Sequence, residues 1–189
     1  FGLSMNTMVG PVAVAGELSY RPNDSVGIDP TVAFGRGFTG TFNKFSVFDT
    51  GEHPGFVEEK KWQADVNAIY NFSASDPLGF IPSSLGASDG FLMAEAVVAH
   101  YPDLDTSGET PYVLPDYSLP DKTSWGYVTE LGINYPNLFD SGITVTPQLD
   151  FAHDVNGTTP NALPFIEGRK SLTTSLLFNY RGRWKGGLQ

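Results

Sequence analysis

Cysteine is absent from this 189-residue sequence, so disulfide bonds, thiolate catalysis and cysteine-ligated zinc are excluded. Basic residues are few, with 11 Lys and Arg against 21 Asp and Glu and a net charge of -10. Because phosphate binding needs clustered basic side chains, the composition excludes nucleic acid as an expected partner. The sequence also lacks any run of about 20 apolar residues, the length of a membrane helix, so a membrane role would have to use strands.

The main pattern that is present is an alternation of apolar and polar residues. It is regular at residues 62–72, 125–135, 143–152 and 171–180, and a period of two predicts β-strands. Each run has about 9 to 11 residues, enough to cross a bilayer at a tilt, whereas strands average about 5 or 6. Less regular runs bring the total to seven or eight predicted strands. These lie at residues 1–6, 12–20, 91–101 and 183–189.

The predicted connections alternate in length. Those at residues 10–11, 136–142 and 181–182 are short, and those at 21–61, 102–123 and 155–168 are long. Short turns on one side and long loops on the other are typical of outer-membrane barrels, in which the short side is periplasmic. The segment 73–90 is an exception, because it is long where this scheme requires a short turn.

These patterns predict an all-β fold, an antiparallel up-and-down transmembrane β-barrel of the bacterial outer membrane in contact with lipid. Residues 1–189 would form part of one barrel domain. Aromatic residues at strand ends fit girdles at the two interfaces, although they could also cap a soluble β-sandwich. The aromatic set is Trp62, Phe72, Trp125, Tyr135, Tyr180 and Trp184.

In a barrel of this kind the apolar face of each strand meets lipid and the polar face lines the lumen. We therefore expect two sets of residues on opposite faces. The predicted lipid-facing residues are Leu131, Ile133, Val145, Leu149, Leu176 and Phe178. The predicted lumen-lining residues are Asp65, Asn67, Glu130, Asn134, Gln148, Asp150, Asn179 and Arg181.

The first long loop is rich in phenylalanine. Large apolar side chains are costly in a loop exposed to water, which favours packing in the barrel mouth or contact with apolar solutes. The predicted mouth-loop residues are Phe34, Phe38, Phe42, Phe45, Phe48 and Phe56.

Two constellations suggest chemistry only weakly. Asp103, Asp105 and Ser107 imitate the start of a calcium loop, but Leu114 stands where a bidentate Glu belongs, which favours a plain acidic loop. The pair His153 and Asp154 would point to opposite faces of a strand and therefore cannot easily form a proton relay. We expect no cofactor and no enzymatic activity.

Two stretches of the chain resemble a known family. They are 1–23, FGLSMNTMVGPVAVAGELSYRPN, and 123–184, which contains SWGY, HDVNG and EGRK in this order. They are similar to a proteobacterial family of outer-membrane barrels that is catalogued only as a domain of unknown function. Its members are large and signal-bearing, and are often encoded near resistance-nodulation-division exporters and genes for hydrophobic-compound metabolism. The resemblance implies that this chain is the C-terminal part of a larger barrel, without the terminal strand.

Together the residues and the resemblance predict an outer-membrane channel or transporter for small hydrophobic molecules. The polar face would line the pathway, and the phenylalanine-rich loop would narrow its mouth. The alternative is a plugged barrel that acts as a binding or scaffold partner of an export system or a surface structure, in contact with an exporter or a periplasmic partner.

Overall fold

The computed structural model describes residues 1–29, 55–112, 114 and 118–189, and these residues form eight strands, one short α-helix and two 3-10 helices, Leu138–Asp140 and Pro160–Ala162. No helix in these ranges is long and apolar enough to cross a membrane. The strands are β1 Gly2–Val9, β2 Val12–Gly27, β3 Phe56–Ser73, β4 Asp89–His100, β5 Thr123–Asn134, β6 Ile143–Asn156, β7 Lys170–Tyr180 and β8 Trp184–Leu188; the helix is α1 Phe80–Leu85.

All eight strands belong to one antiparallel sheet, in the order in which they occur along the chain. Each strand pairs with the next one, from Gly2 opposite Ser19 to Tyr180 opposite Trp184. This confirms the predicted all-β meander. Among the described residues the sheet is open, since β1 pairs only with β2 and β8 only with β7.

The first long connection is shorter than predicted, because its flanking strands run further. β2 continues to Gly27 and β3 begins at Phe56. The predicted loop boundaries at residues 21 and 61 are therefore wrong. Pro22 and the charged residues 58–61 are unusual in strands, but Pro22 lies where the ladder register shifts between Arg21 and Asp24, and an irregular position tolerates a residue without an N–H.

The short turns follow from local sequence. Between Val9 and Val12, Gly10 has φ +60°, and a Gly followed by Pro suits a two-residue hairpin turn that needs a positive φ first and a negative φ second. The unexpectedly long connection after β3 is also locally ordered. The Asp76 carboxylate accepts hydrogen bonds from the Ser73 N–H and hydroxyl, and Gly86, with φ +70°, caps the C-terminus of α1 after Leu85.

A buried hydrophobic cluster of the described residues does not lie between two sheets. It lies at the long-loop end of the sheet and contains Val26, Tyr101, Leu104 and Tyr112, with Val57 packed against it. Val57 has the same parity in β3 as Asp65, so this cluster sits on the face of the sheet that carries Asp65.

Candidate functional site

The ladder register separates the two predicted sets of residues onto opposite faces of the sheet. Glu130 pairs with Asp150 on one face, and Leu131 pairs with Leu149 on the other. Successive side chains of every strand point to these two faces in turn. Arg181 lies beyond the ladder, in the β7–β8 turn, with its guanidinium over the Tyr180 ring. The polar face carries Asp65, Asn67, Glu130, Asn134, Gln148, Asp150 and Asn179; the apolar face carries Leu131, Ile133, Val145, Leu149, Leu176 and Phe178.

The polar face is strongly acidic in its middle. Glu17 lies directly opposite Asp65, and Glu130 directly opposite Asp150. Like charges at opposed positions destabilise a sheet, so these pairs require water around them. Both faces of β4 are largely apolar, so its sequence pattern does not orient it, but the register does: Glu95 pairs with Asn67 and joins the polar face.

The opposite face is apolar and largely exposed. Aromatic side chains pair on this face: Tyr20 packs on Trp62 at 4.5 Å between ring centroids, inside β2 and β3, and Tyr70 lies 5.8 Å from Phe72 near the short-turn end. Ile133 and Val145 are exceptions, because they are buried near the short-turn end. The exposed apolar residues of this face include Leu3, Met5, Val9, Leu18, Trp62, Val66, Leu92, Val98, Trp125, Leu149, Leu172, Trp184 and Leu188.

At the long-loop end, two buried tyrosines anchor the β4–β5 loop to the β2–β3 hairpin. The Tyr101 hydroxyl donates to Asp24 Oδ2 at 2.8 Å, and the Tyr112 hydroxyl donates to Glu59 Oε1. Burial, reinforced by these acidic acceptors, raises the pKa of both phenols above the ordinary tyrosine value. Lys61 Nζ lies 5.6 Å from the centre of the Tyr101 ring, a distance at which a cation attracts an aromatic face.

The calcium-like residues are engaged by protein donors. Asp105 accepts hydrogen bonds from the Ser107 hydroxyl and from the Ser107 and Thr110 N–H groups, which hold its pKa well below the usual range. Asp103 accepts from Lys60 Nζ at 2.8 Å, and this contact lowers its pKa. In the described part of the chain, no three metal-ligating side chains gather at one place.

His153 and Asp154 point to different faces, as the sequence predicted. The His153 ring lies edge-on to Tyr127 at 5.7 Å on the apolar face. The Asp154 carboxylate instead accepts from Arg169 Nε at 2.7 Å and from the Ile166 N–H. Asp154 therefore holds the end of the β6–β7 loop against β6.

The predicted mouth-loop residues Phe34, Phe38, Phe42, Phe45 and Phe48 lie outside the described residues. Phe56 was assigned to the same loop but is the first residue of β3, paired with Gly27. The assignment of Phe56 to the loop is wrong, because β3 includes the charged residues 58–61 and begins at Phe56.

A family model for a protein of unknown function, DUF1302, matches residues 1–189. The chain belongs to this family. The match covers the whole chain and is therefore wider than the two stretches that carry the resemblance in the sequence. No curated protein and no solved structure matches the chain.

Proposed function

We propose that this DUF1302 chain forms part of an outer-membrane β-barrel whose polar face lines a pathway for small molecules. The observation that carries the proposal is the two-faced sheet, with an exposed apolar face and a partly exposed acidic face on the same strands. A water-soluble sheet would have to cover such an apolar face, whereas a barrel in lipid exposes it.

The dimensions of the apolar face support a membrane location. From Trp62 to Phe72 the strand rises by about 33 Å at about 3.3 Å per residue, and a tilt of about 40° reduces this to about 25 Å. That height equals the apolar band of outer-membrane barrels, with aromatic residues at each edge. The bilayer would then cover the exposed residues between Trp62 and Phe72 on β3 and their neighbours.

The expected solutes are small and hydrophobic. This expectation rests on the family resemblance and on the phenylalanine-rich loop. The test is uptake of a hydrophobic and a hydrophilic fluorescent probe into vesicles that contain the full-length protein, compared with empty vesicles. Uptake no faster than in empty vesicles, by correctly inserted protein, would contradict the channel.

The loop's contribution can be tested by deleting residues 30–54. The deletion leaves Ile28, Asp29 and Gly55 as a three-residue connection between β2 and β3. Such a connection, ending in Gly, suits a hairpin, because Gly27 and Phe56 on either side of it already pair. We expect the ratio of the two uptake rates to change. A control that replaces residues 30–54 by a Gly- and Ser-rich segment of equal length separates the effect of the phenylalanines from that of loop length.

The alternative is a plugged barrel that serves as a binding partner of an export system. The packed loops at the long-loop end, with Tyr101, Leu104 and Tyr112 buried on the polar-face side, favour it. Equal uptake with and without residues 30–54, at the level of empty vesicles, would support this second function.

A further inference from the structure

The three long connections are joined to one another in a closed circuit. The Asp29 N–H in the β2–β3 connection donates to the Pro111 carbonyl of the β4–β5 loop at 2.9 Å. Asp121 at the end of that loop exchanges two hydrogen bonds with Thr158 of the β6–β7 loop, at 2.9 and 2.8 Å. The β6–β7 loop in turn reaches back to β2.

The contact that closes the circuit is made by Asn161. Its Oδ1 accepts from the Gly27 N–H at 2.7 Å, and its Nδ2 donates to the Ser25 carbonyl at 3.2 Å. A side-chain amide therefore pairs with β2 as a neighbouring strand would. In the sheet, β3, β4 and β5 lie between β2 and the strand that leads into this loop, so the contact spans the arc of four neighbouring strand pairs.

The loops cross on the polar-face side of the sheet. Gly126 shares the parity of Glu130, and a Cβ at Gly126 would lie 3.0 Å from Phe165 Cε1, which places this ring over the polar face. Ala99 and Ser124 form a pair on the same face and are 0% and 1% exposed, beneath the start of the loop at Gly157. The polar residues nearer the middle of the strands, such as Asp65 and Asp150, stay partly exposed.

We propose that Asn161 fastens a strap, the segment 157–169, across the long-loop end, and that this strap limits the size of solutes that reach the polar face. The inference rests on the proposed function in treating the polar face as a solute pathway. No local sequence pattern points to Asn161, because its partners lie more than a hundred residues away in the chain.

The test uses the absence of cysteine from this chain. Ser124→Cys places one thiol beneath the strap, and its labelling rate with a small and a bulky maleimide reports access. In this background, Asn161→Gly removes both hydrogen bonds without backbone strain, since Asn161 has φ +70°. We expect bulky-reagent labelling to accelerate about five- to thirtyfold, because two solvent-exposed hydrogen bonds are lost. Asn161→Asp keeps the acceptor but loses the donor, and should give an intermediate rate.

Asn137→Gly is the matched control. Asn137 also has a positive φ, of +50°, but it lies at the other end of the sheet and bonds only to Asp140 and Gly142. This variant should leave labelling unchanged. Equal bulky-reagent rates for the Ser124→Cys protein and for the same protein carrying either Asn161 variant or the control, each with folded electrophoretic mobility, would overturn the strap. Accelerated labelling without uptake of either probe by any variant would establish the strap and contradict the channel.

Discussion

The two ends of the sheet are ordered in different ways. At the short-turn end the hydrogen bonds are mostly local: Asp76 bonds to Ser73, and Asn137 bonds to Asp140 and Gly142. At the long-loop end they join distant segments, and some residues are fully buried, among them Tyr101 and Leu104. The short turns therefore depend on neighbouring residues, whereas the loop end depends on the sheet that brings the loops together.

The largest expected effect is a loss of stability of the buried cluster at the long-loop end. Leu104→Ala should destabilise the loop cluster by about 2 to 5 kcal/mol, because a fully buried leucine is replaced by a cavity. Amide exchange and limited proteolysis of residues 101–112 measure this. Leu119→Ala, at a position 39% exposed in the same connection, is the control. Equal rates of amide exchange and proteolysis in both variants would mean that the cluster does not stabilise the loop.

The next effect tests the two faces of the strands. Leu176 and Leu177 are adjacent but lie on the apolar and polar faces, respectively. Under the proposed membrane location, Leu176→Arg should cost about 2 to 4 kcal/mol of stability in lipid. Leu177→Arg should cost much less, since it faces water. Urea unfolding in phospholipid vesicles measures both, and similar losses would contradict a lipid-facing side.

A smaller effect is expected from one buried hydroxyl. Tyr112→Phe leaves the Glu59 carboxylate, 8% exposed, without this donor and should cost about 1 to 3 kcal/mol. Tyr135→Phe removes an exposed bond to the Leu85 carbonyl at the short-turn end and should cost less. Amide exchange near each hydroxyl, in the loop cluster for Tyr112 and at the short-turn end for Tyr135, compares the two losses of stability. A larger loss of stability in Tyr135→Phe than in Tyr112→Phe would contradict the prediction that the buried hydroxyl at the long-loop end matters more.

The same tyrosines predict a pH dependence. Their folded-state pKa values are raised, so the stability they contribute is complete below the ordinary tyrosine pKa of about 10 and is lost as the pH rises through the folded values. Ultraviolet titration of tyrosinate should show a late component that the double variant Tyr101→Phe, Tyr112→Phe removes. Its persistence in that variant would assign it to other tyrosines.

Much of the fold could be predicted from local patterns. Strict alternation around Leu131 and Leu149 placed both residues on one face, because side chains of a strand alternate whatever surrounds them. Both faces of β4 are largely apolar, so periodicity could not orient Glu95, and only pairing with Asn67 did. The ends of β2 and β3 were misplaced for a related reason: Pro22 and a run of charges disfavour strands locally, but a long hairpin tolerates them.

The sequence by itself determined the strands, their order, and the division of residues such as Asp150 and Phe151 between two faces, since these depend on period-two alternation and short turns. Only the tertiary structure decided that Tyr101, Tyr112 and Asn161 join three loops. Their partners, Asp24, Glu59 and Gly27, are separated from them by at least fifty positions in the chain. No local propensity encodes such contacts, because they form only after the sheet has brought the strand ends together.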